Sequence, residues 1–322
     1  MDASEIELFE RSVRQATERH SGDALDGALA ELGWPDALAD DPPTAVSVLF
    51  PLQGAANVTS SALDQVVATA LGVPPTSREA VVLPALGTRT APGDARGHRL
   101  SVRGLGTARL QRGVRAVVVA TRDSNGSFTI VTVSTTDLTL RPIEGIDPDL
   151  GLIEATADTV GFEPGPDGAG NAWSAAVVLA QLALSHEILG AARSMLALAR
   201  EHALDRIQFG QPIARFQAVR HRLAETLVAI EGADALVLAT NDSPSPELAT
   251  VAKALAGRAA LTAARHCQQV LAGIGFTAEH PFHRYYRRIL LLDQLFGSAH
   301  GLTRGFGEEL LQSRQLPALL PL

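Results

Sequence analysis

The chain has 322 residues, a formal net charge of -8 and a pI near 5.6, which excludes the clustered positive surface that nucleic acid or an anionic membrane requires. Its 46% hydrophobic content is enough for one large core or two to three packed subdomains. Cys267 is the single cysteine, so a disulfide framework and a thiolate metal cluster are excluded and a reducing cytoplasm is the expected compartment.

The first twenty residues are charged and helix-like, unlike a secretory leader, and no apolar stretch reaches ~18 residues, so no membrane-spanning helix is predicted. Residues 1–78 read as a helical region broken by Pro35, Pro42, Pro43 and Pro51, with Leu63, Val66, Val67, Ala70 and Leu71 at helical spacing. Residues 79–165 change period: VVLPAL, HRLSVRGL, VRAVVVATR, SFTIVTVS and LTLRPI are short β-branched runs separated by turns such as DSNGS. Beyond a PDGAG hinge, residues 166–322 return to long helical patterns, interrupted by Gly273-Ile274-Gly275. The order is helical, β, helical. It excludes a regular βαβ alternation, so any dinucleotide is held by something other than a doubly wound sheet.

Two stretches carry chemistry. In residues 203–225, Arg206 ends a helix, Gly210 and Pro212 force a turn, and Phe216, Val219 and Leu223 restart an apolar stripe. This is a helical hairpin with a basic corner, or a phosphate site in which Arg206 and Gln217 face the ligand. In residues 268–289, Gly273 and Gly275 permit close backbone approach to a ligand, or simply cap helices. Arg284, Arg287 and Arg288 read as a solvated or interfacial face. Cys267 reads as a small core residue, and the scarcity of lysine, with Lys253 the only one among 27 basic residues, as a coding bias. His280 and His283 lie three apart without an HExxH pattern or a cysteine partner, so no metal site is predicted.

Together the two stretches resemble the C-terminal helical domain of the acyl-CoA dehydrogenase family, with its R-x-x-F-G-x-x-[IL]-x-x-x-Q hairpin and its Q-x-x-G-G-x-G-[FY] turn. Here the first is Arg206, Phe209, Gly210, Ile213 and Gln217; the second is Gln269, Gly273, Gly275 and Phe276, with Ala272 in place of one glycine. The resemblance implies an α+β fold with an N-terminal helical region, a small middle β domain and a C-terminal four-helix bundle. It also implies FAD lying across a subunit interface, with Arg206, Phe209, Gln217, Gln269 and Gly273 contacting the pyrophosphate and adenosine of a neighbour's cofactor.

The family draws a proton from the α-carbon of an acyl thioester with a glutamate while hydride leaves for the flavin. At the corresponding position this chain has Phe296, within Leu295-Phe296-Gly297-Ser298; at a second position some members use, it has Ala180. The nearest acids are Glu187, roughly two turns and ~10 Å along the helix from Ala180, and Asp293, three residues before Phe296. By default both are helix-surface or capping acids. The family's flavin-gripping T-E-P-x-x-G-S-D segment is replaced by LPALGTRTAPGDA. The losses fall on one half of the site, as in the short subunits of heterotetrameric actinobacterial enzymes acting on steroid-derived CoA thioesters. The resemblance therefore implies a subunit that completes the FAD site of a longer homologue in an α2β2 assembly, with acyl-CoA mainly in the partner's pocket and an electron acceptor flavoprotein downstream. The alternatives are a self-sufficient dehydrogenase with a base displaced to Asp293 or Glu187, and a scaffold that has lost the cofactor.

Overall fold

A computed structural model describes residues 3–74, 78–122, 127–162 and 169–314. The DSNGS turn and most of the PDGAG hinge lie outside the described residues. Five helices open the chain: α1 (Ala3–Arg19), α2 (Asp23–Glu31), α3 (Trp34–Asp40), α4 (Pro42–Ala56) and α5 (Ala62–Ala70). Pro35, Pro42 and Pro43 occupy first turns, where a missing N–H breaks no helical bond, and Asp41 Oδ1 caps α4 by accepting from Thr44 N at 3.3 Å. Pro51 was expected to break a helix but lies inside α4. Tertiary packing overrides the local penalty: a Cβ on Gly190 of the crossing helix would stand 2.2 Å from the Pro51 carbonyl oxygen, and one on Gly54 would stand 2.0 Å from the Glu187 carbonyl oxygen. Only glycine at both positions lets the helices approach so closely.

The middle region is an eight-stranded sheet built from β1 (Ala80–Val81), β2 (Leu83–Pro84), β3 (Gly93–Arg96), β4 (Arg99–Gly106), β5 (Arg115–Arg122), β6 (Ser127–Ser134), β7 (Thr139–Pro142) and β8 (Ile153–Gly161), with a short helix α6 (Ala108–Arg112) before β5. Its main path runs β1-β5-β3-β4-β8-β7, with β2 pairing β4 and β6 pairing β5. Only β1 and β3 run parallel to β5. Val82, Leu100, Val118 and Val131 belong to a core confined to the sheet.

The C-terminal region contains α7 (Ala169–Asp205), a two-stranded hairpin of β9 (Ile207–Gln208) and β10 (Gln211–Pro212), then α8 (Gln217–Asp242), α9 (Pro246–Leu271), α10 (Phe282–Gln294) and α11 (Ala299–Ser313). α7 packs on α4, α8 and α9; α10 lies against α7 and α11 against α9. Trp34, Phe50, Leu182, Met195 and Phe282 belong to one core joining the N-terminal helices to this bundle. α7 is long and apolar enough to cross a membrane, which the search for uninterrupted apolar runs did not reveal, but 83% of its most apolar window is buried inside the protein. It is the central core helix. Cys267 is buried, and burial pushes its thiol up to about 12, as a small core residue requires.

Candidate cofactor site

The hairpin after α7 turns on Phe209 and Gly210, with φ of 52° and 77°. A positive φ suits Gly210 but strains a phenylalanine. Phe209 is 92% exposed and lies edge-on to Phe216, at a centroid distance of 6.1 Å. Arg206, whose carbonyl oxygen accepts from Ile213 N at 2.8 Å, is exposed, as is Gln217 at the start of α8. The hairpin thus presents a cation, an aromatic ring and an amide to solvent.

A cavity of about 670 Å³ lies where α9 ends; Gln269, Gly273, Arg265, His283, Tyr286 and Arg287 are among its lining. Gln269 and Gly273 thus share one cavity, whereas Arg206, Phe209 and Gln217 do not line it. A Cβ on Gly275 would fall 2.6 Å from Gln268 Nε2 and 3.0 Å from Leu271 Cβ, so any larger residue there would have to displace the Gln268 side chain. Ala272, which replaces a family glycine, keeps a glycine-like conformation with φ 51° and ψ -131°. The sequence reading missed Arg265 and Arg287 as lining residues. Arg287 Nε is buried without a hydrogen-bond partner among the described residues, and His283 Nδ1 donates to the His280 carbonyl oxygen at 2.7 Å. His202 is shifted down by burial and then by Arg206 against Asp205, and His280 by burial, His202 and His283 against Glu201, so the end of α7 lies near this turn. Cations and amides around an open volume, with an orphan guanidinium N–H, suit a phosphate-bearing ligand.

The corner between α10 and α11 is closed. Phe296 is 1% exposed, adopts φ 54°, and lies against Trp173 at a centroid distance of 6.4 Å. Its carbonyl oxygen accepts from Gln181 Nε2 at 3.1 Å. Lys253, wholly buried, donates from Nζ to the carbonyl oxygens of Asp293 at 3.0 Å and Gly297 at 3.2 Å, and burial lowers it to about 8. The lone lysine is a structural clamp, not a compositional accident. Asp293 Oδ1 accepts from Ala299 N at 3.0 Å, the work of a capping acid at the start of α11. Ala180 is fully buried. Residues 83–95 reach the same corner: Gly87 N donates to the Gln294 carbonyl oxygen at 2.9 Å, and Arg89 Nη1 donates to Thr250 Oγ1 at 2.9 Å. That segment also lines a polar groove of about 580 Å³ with Arg103 and Asp158.

Two expectations need correction. Glu187 is not a surface acid: it is 2% exposed, and burial raises its carboxyl to about 7 against the opposing pull of Arg288 and Gln53. Arg288 is not a solvated face: it is 2% exposed, pairs with Asp147, and donates from Nη1 to the Val58 carbonyl oxygen at 2.9 Å. Its partners lie far away in sequence, where no local pattern reveals them.

Residues 172–306 match the acyl-CoA dehydrogenase C-terminal domain. Among curated proteins the chain is similar to acyl-CoA dehydrogenase IpdE2 of Mycobacterium tuberculosis, 35% identical over 178 residues that cover 55% of this chain and 54% of that protein. The chain spans about half the length, or less, of the curated relatives it matches. Among solved structures, the steroid ACAD Tcur3481-Tcur3483 G363A variant aligns at a TM-score of 0.79 and 21% identity, covering 97% of this chain and 99% of its own. The ChsE4-ChsE5 complex of Mycobacterium tuberculosis aligns at 0.77 and 20% identity, covering 99% of each chain. The C-terminal domain thus belongs to the acyl-CoA dehydrogenase family, and the chain as a whole has that family's fold.

Proposed function

We propose that this chain is a subunit of an FAD-dependent acyl-CoA dehydrogenase that completes the cofactor site of a longer homologous subunit in an α2β2 assembly. The observation that carries the reading is the burial of Phe296, which by the sequence resemblance stands where the family has its base and accepts no proton: it packs against Trp173, with its carbonyl held by Gln181 and that of Gly297 by Lys253. The cavity beside Gln269 and Gly273 is lined on α10 by His283, Tyr286 and Arg287, and not by Phe296. Arg206, Phe209 and Gln217 on the hairpin, with Gln269 and Gly273, hold the pyrophosphate and adenosine of a partner-bound FAD. When bound, FAD accepts the hydride from the acyl chain; this chain's residues bind and orient its nucleotide half. The acyl-CoA lies mainly in the partner's pocket, its class suggested as steroid-derived by the solved neighbours, and a flavoprotein takes the electrons onward. Replacing Arg206 with alanine in the co-expressed pair tests this. The pair stays assembled and loses FAD at least about tenfold more readily, since a charge-assisted phosphate contact contributes about 1.5–3 kcal/mol. Unchanged FAD retention overturns the reading.

The raised carboxyl of Glu187 favours a second reading, a self-sufficient enzyme with a displaced base. Glu187 lines neither the 670 Å³ cavity nor the polar groove. Acyl-CoA oxidation by the lone chain, abolished in Glu187→Gln, is the result this second reading requires.

A further inference from the structure

Four side chains from four segments meet where the N-terminal helices, the sheet and the bundle touch: Gln53 of α4, Glu187 of α7, Arg288 of α10, and Asp147 of the loop between β7 and β8. Arg288 donates from Nε to Asp147 Oδ2 and from Nη1 to the Val58 carbonyl oxygen. Gln53 accepts from Ser60 Oγ at 2.5 Å and hydrogen-bonds Glu187. Glu187 Oε1 and Asn57 Oδ1 are buried with no hydrogen-bond partner among the described residues. Two buried carboxyls thus face one guanidinium. Burying both as anions leaves one negative charge uncompensated in a dry interior, and such a charge is removed by taking up a proton. Asp147 holds the ion pair, so the proton belongs to Glu187.

The helix held here, α10, also bears on both sites described above. Arg287, next to Arg288, lines the open cavity with His283 and Tyr286, and the C-terminal end of α10 leads into the closed corner at Phe296. We infer that Glu187 is a proton-operated clamp: with its proton it completes the junction of the three regions, and without it α10 and the 143–151 loop loosen. The inference is independent of the completing-subunit reading. The groups facing the Glu187 carboxyl are Arg288 from α10, Asp147 from the sheet's loop and the neutral Gln53 from α4; burial outweighs them and places the carboxyl at about 7. Because that lies above the ordinary 4.5, the contribution to stability is complete below about 4.5 and is lost as pH rises through about 7.

Hydrogen exchange, corrected for its intrinsic pH dependence, and thermal unfolding of the full chain at pH 5.5 and 8.5 test the clamp. In the parent protein, residues 282–294 and 143–151 exchange at least about tenfold faster at the higher pH, and Tm falls by about 5 °C relative to Glu187→Gln. Glu187→Gln removes both differences. Asp147→Asn, which leaves Arg288 to Glu187 alone, moves the transition to lower pH. Should Glu187→Gln not fold, the exchange pattern of the parent and the shift in Asp147→Asn decide. A pH response in α10 no larger than in α1, retention of the response in Glu187→Gln, or an unmoved transition in Asp147→Asn overturns the inference.

Discussion

Gln181 in the middle of α7 donates through Nε2 to the carbonyl oxygen of Phe296 at 3.1 Å, tying the core helix to the corner between α10 and α11. Thr250 Oγ1 lies 3.5 Å from Gln181 Oε1 and accepts from Arg89, so the tie extends to the sheet region. A corner built this way is packed and hydrogen-bonded to both the core helix and the sheet region.

Restoring a carboxylate at position 296 therefore does not restore chemistry. Phe296→Glu in the lone chain gives no acyl-CoA-dependent dye reduction, and burying an unpaired acid lowers stability by about 3 kcal/mol in urea unfolding. Turnover by this variant contradicts the closed-corner description.

Ala272 sits at φ 51° and ψ -131°, a conformation glycine adopts freely. Ala272→Gly is expected to stabilise the chain by about 1 kcal/mol, against the usual direction for a glycine substitution. Urea midpoints at constant slope check it, and a destabilised variant contradicts the strain.

Lys253→Met leaves the carbonyls of Asp293 and Gly297 without their buried donor and is expected to cost about 2–4 kcal/mol. The lysine's folded value, about 8, lies below the ordinary 10.5. Its contribution is therefore complete above about 10.5 and declines as pH falls through about 8, so the gap between parent and variant is wider at pH 10 than at pH 7. Stability curves at the two pH values check the sign.

Arg288 and Asp147 form a buried pair whose halves fail separately. Arg288→Met leaves Asp147 uncompensated beside Glu187 and costs about 3–5 kcal/mol, whereas the double change Arg288→Met with Asp147→Leu recovers most of the loss. A double-mutant cycle on unfolding free energies measures the coupling; additive losses contradict the pairing.

Legibility in the sequence followed the range of the interactions. The order of helical, β and helical regions, the α7–α8 hairpin at Phe209 and Gly210, and the turn at Gly273 and Gly275 rest on period and on local backbone demands, which neighbouring residues display. Glu187 and Arg288 were misjudged as surface acid and solvated face, and Lys253 was given no structural role. Their burial is decided by Gln53, Asp147 and Gly297, between 44 and 141 positions away, and nothing local marks it. Pro51 failed as a helix breaker for a related reason: Gly190, distant in the chain, supplies the close packing that keeps α4 continuous. The ligand cavity was half legible, since Gln269 and Gly273 belong to a recognisable turn while Arg265 and Arg287 converge on it only in three dimensions.

The most direct test of the completing-subunit account is FAD content and subunit stoichiometry, read by visible absorbance and mass, for this chain purified alone and after co-expression with a longer homologue from the same genome. The account predicts a colourless lone chain and about one FAD per heterodimer in the pair. A lone chain that holds one FAD per protomer and oxidises an acyl-CoA contradicts it and returns the search for a base to Glu187 and Asp293.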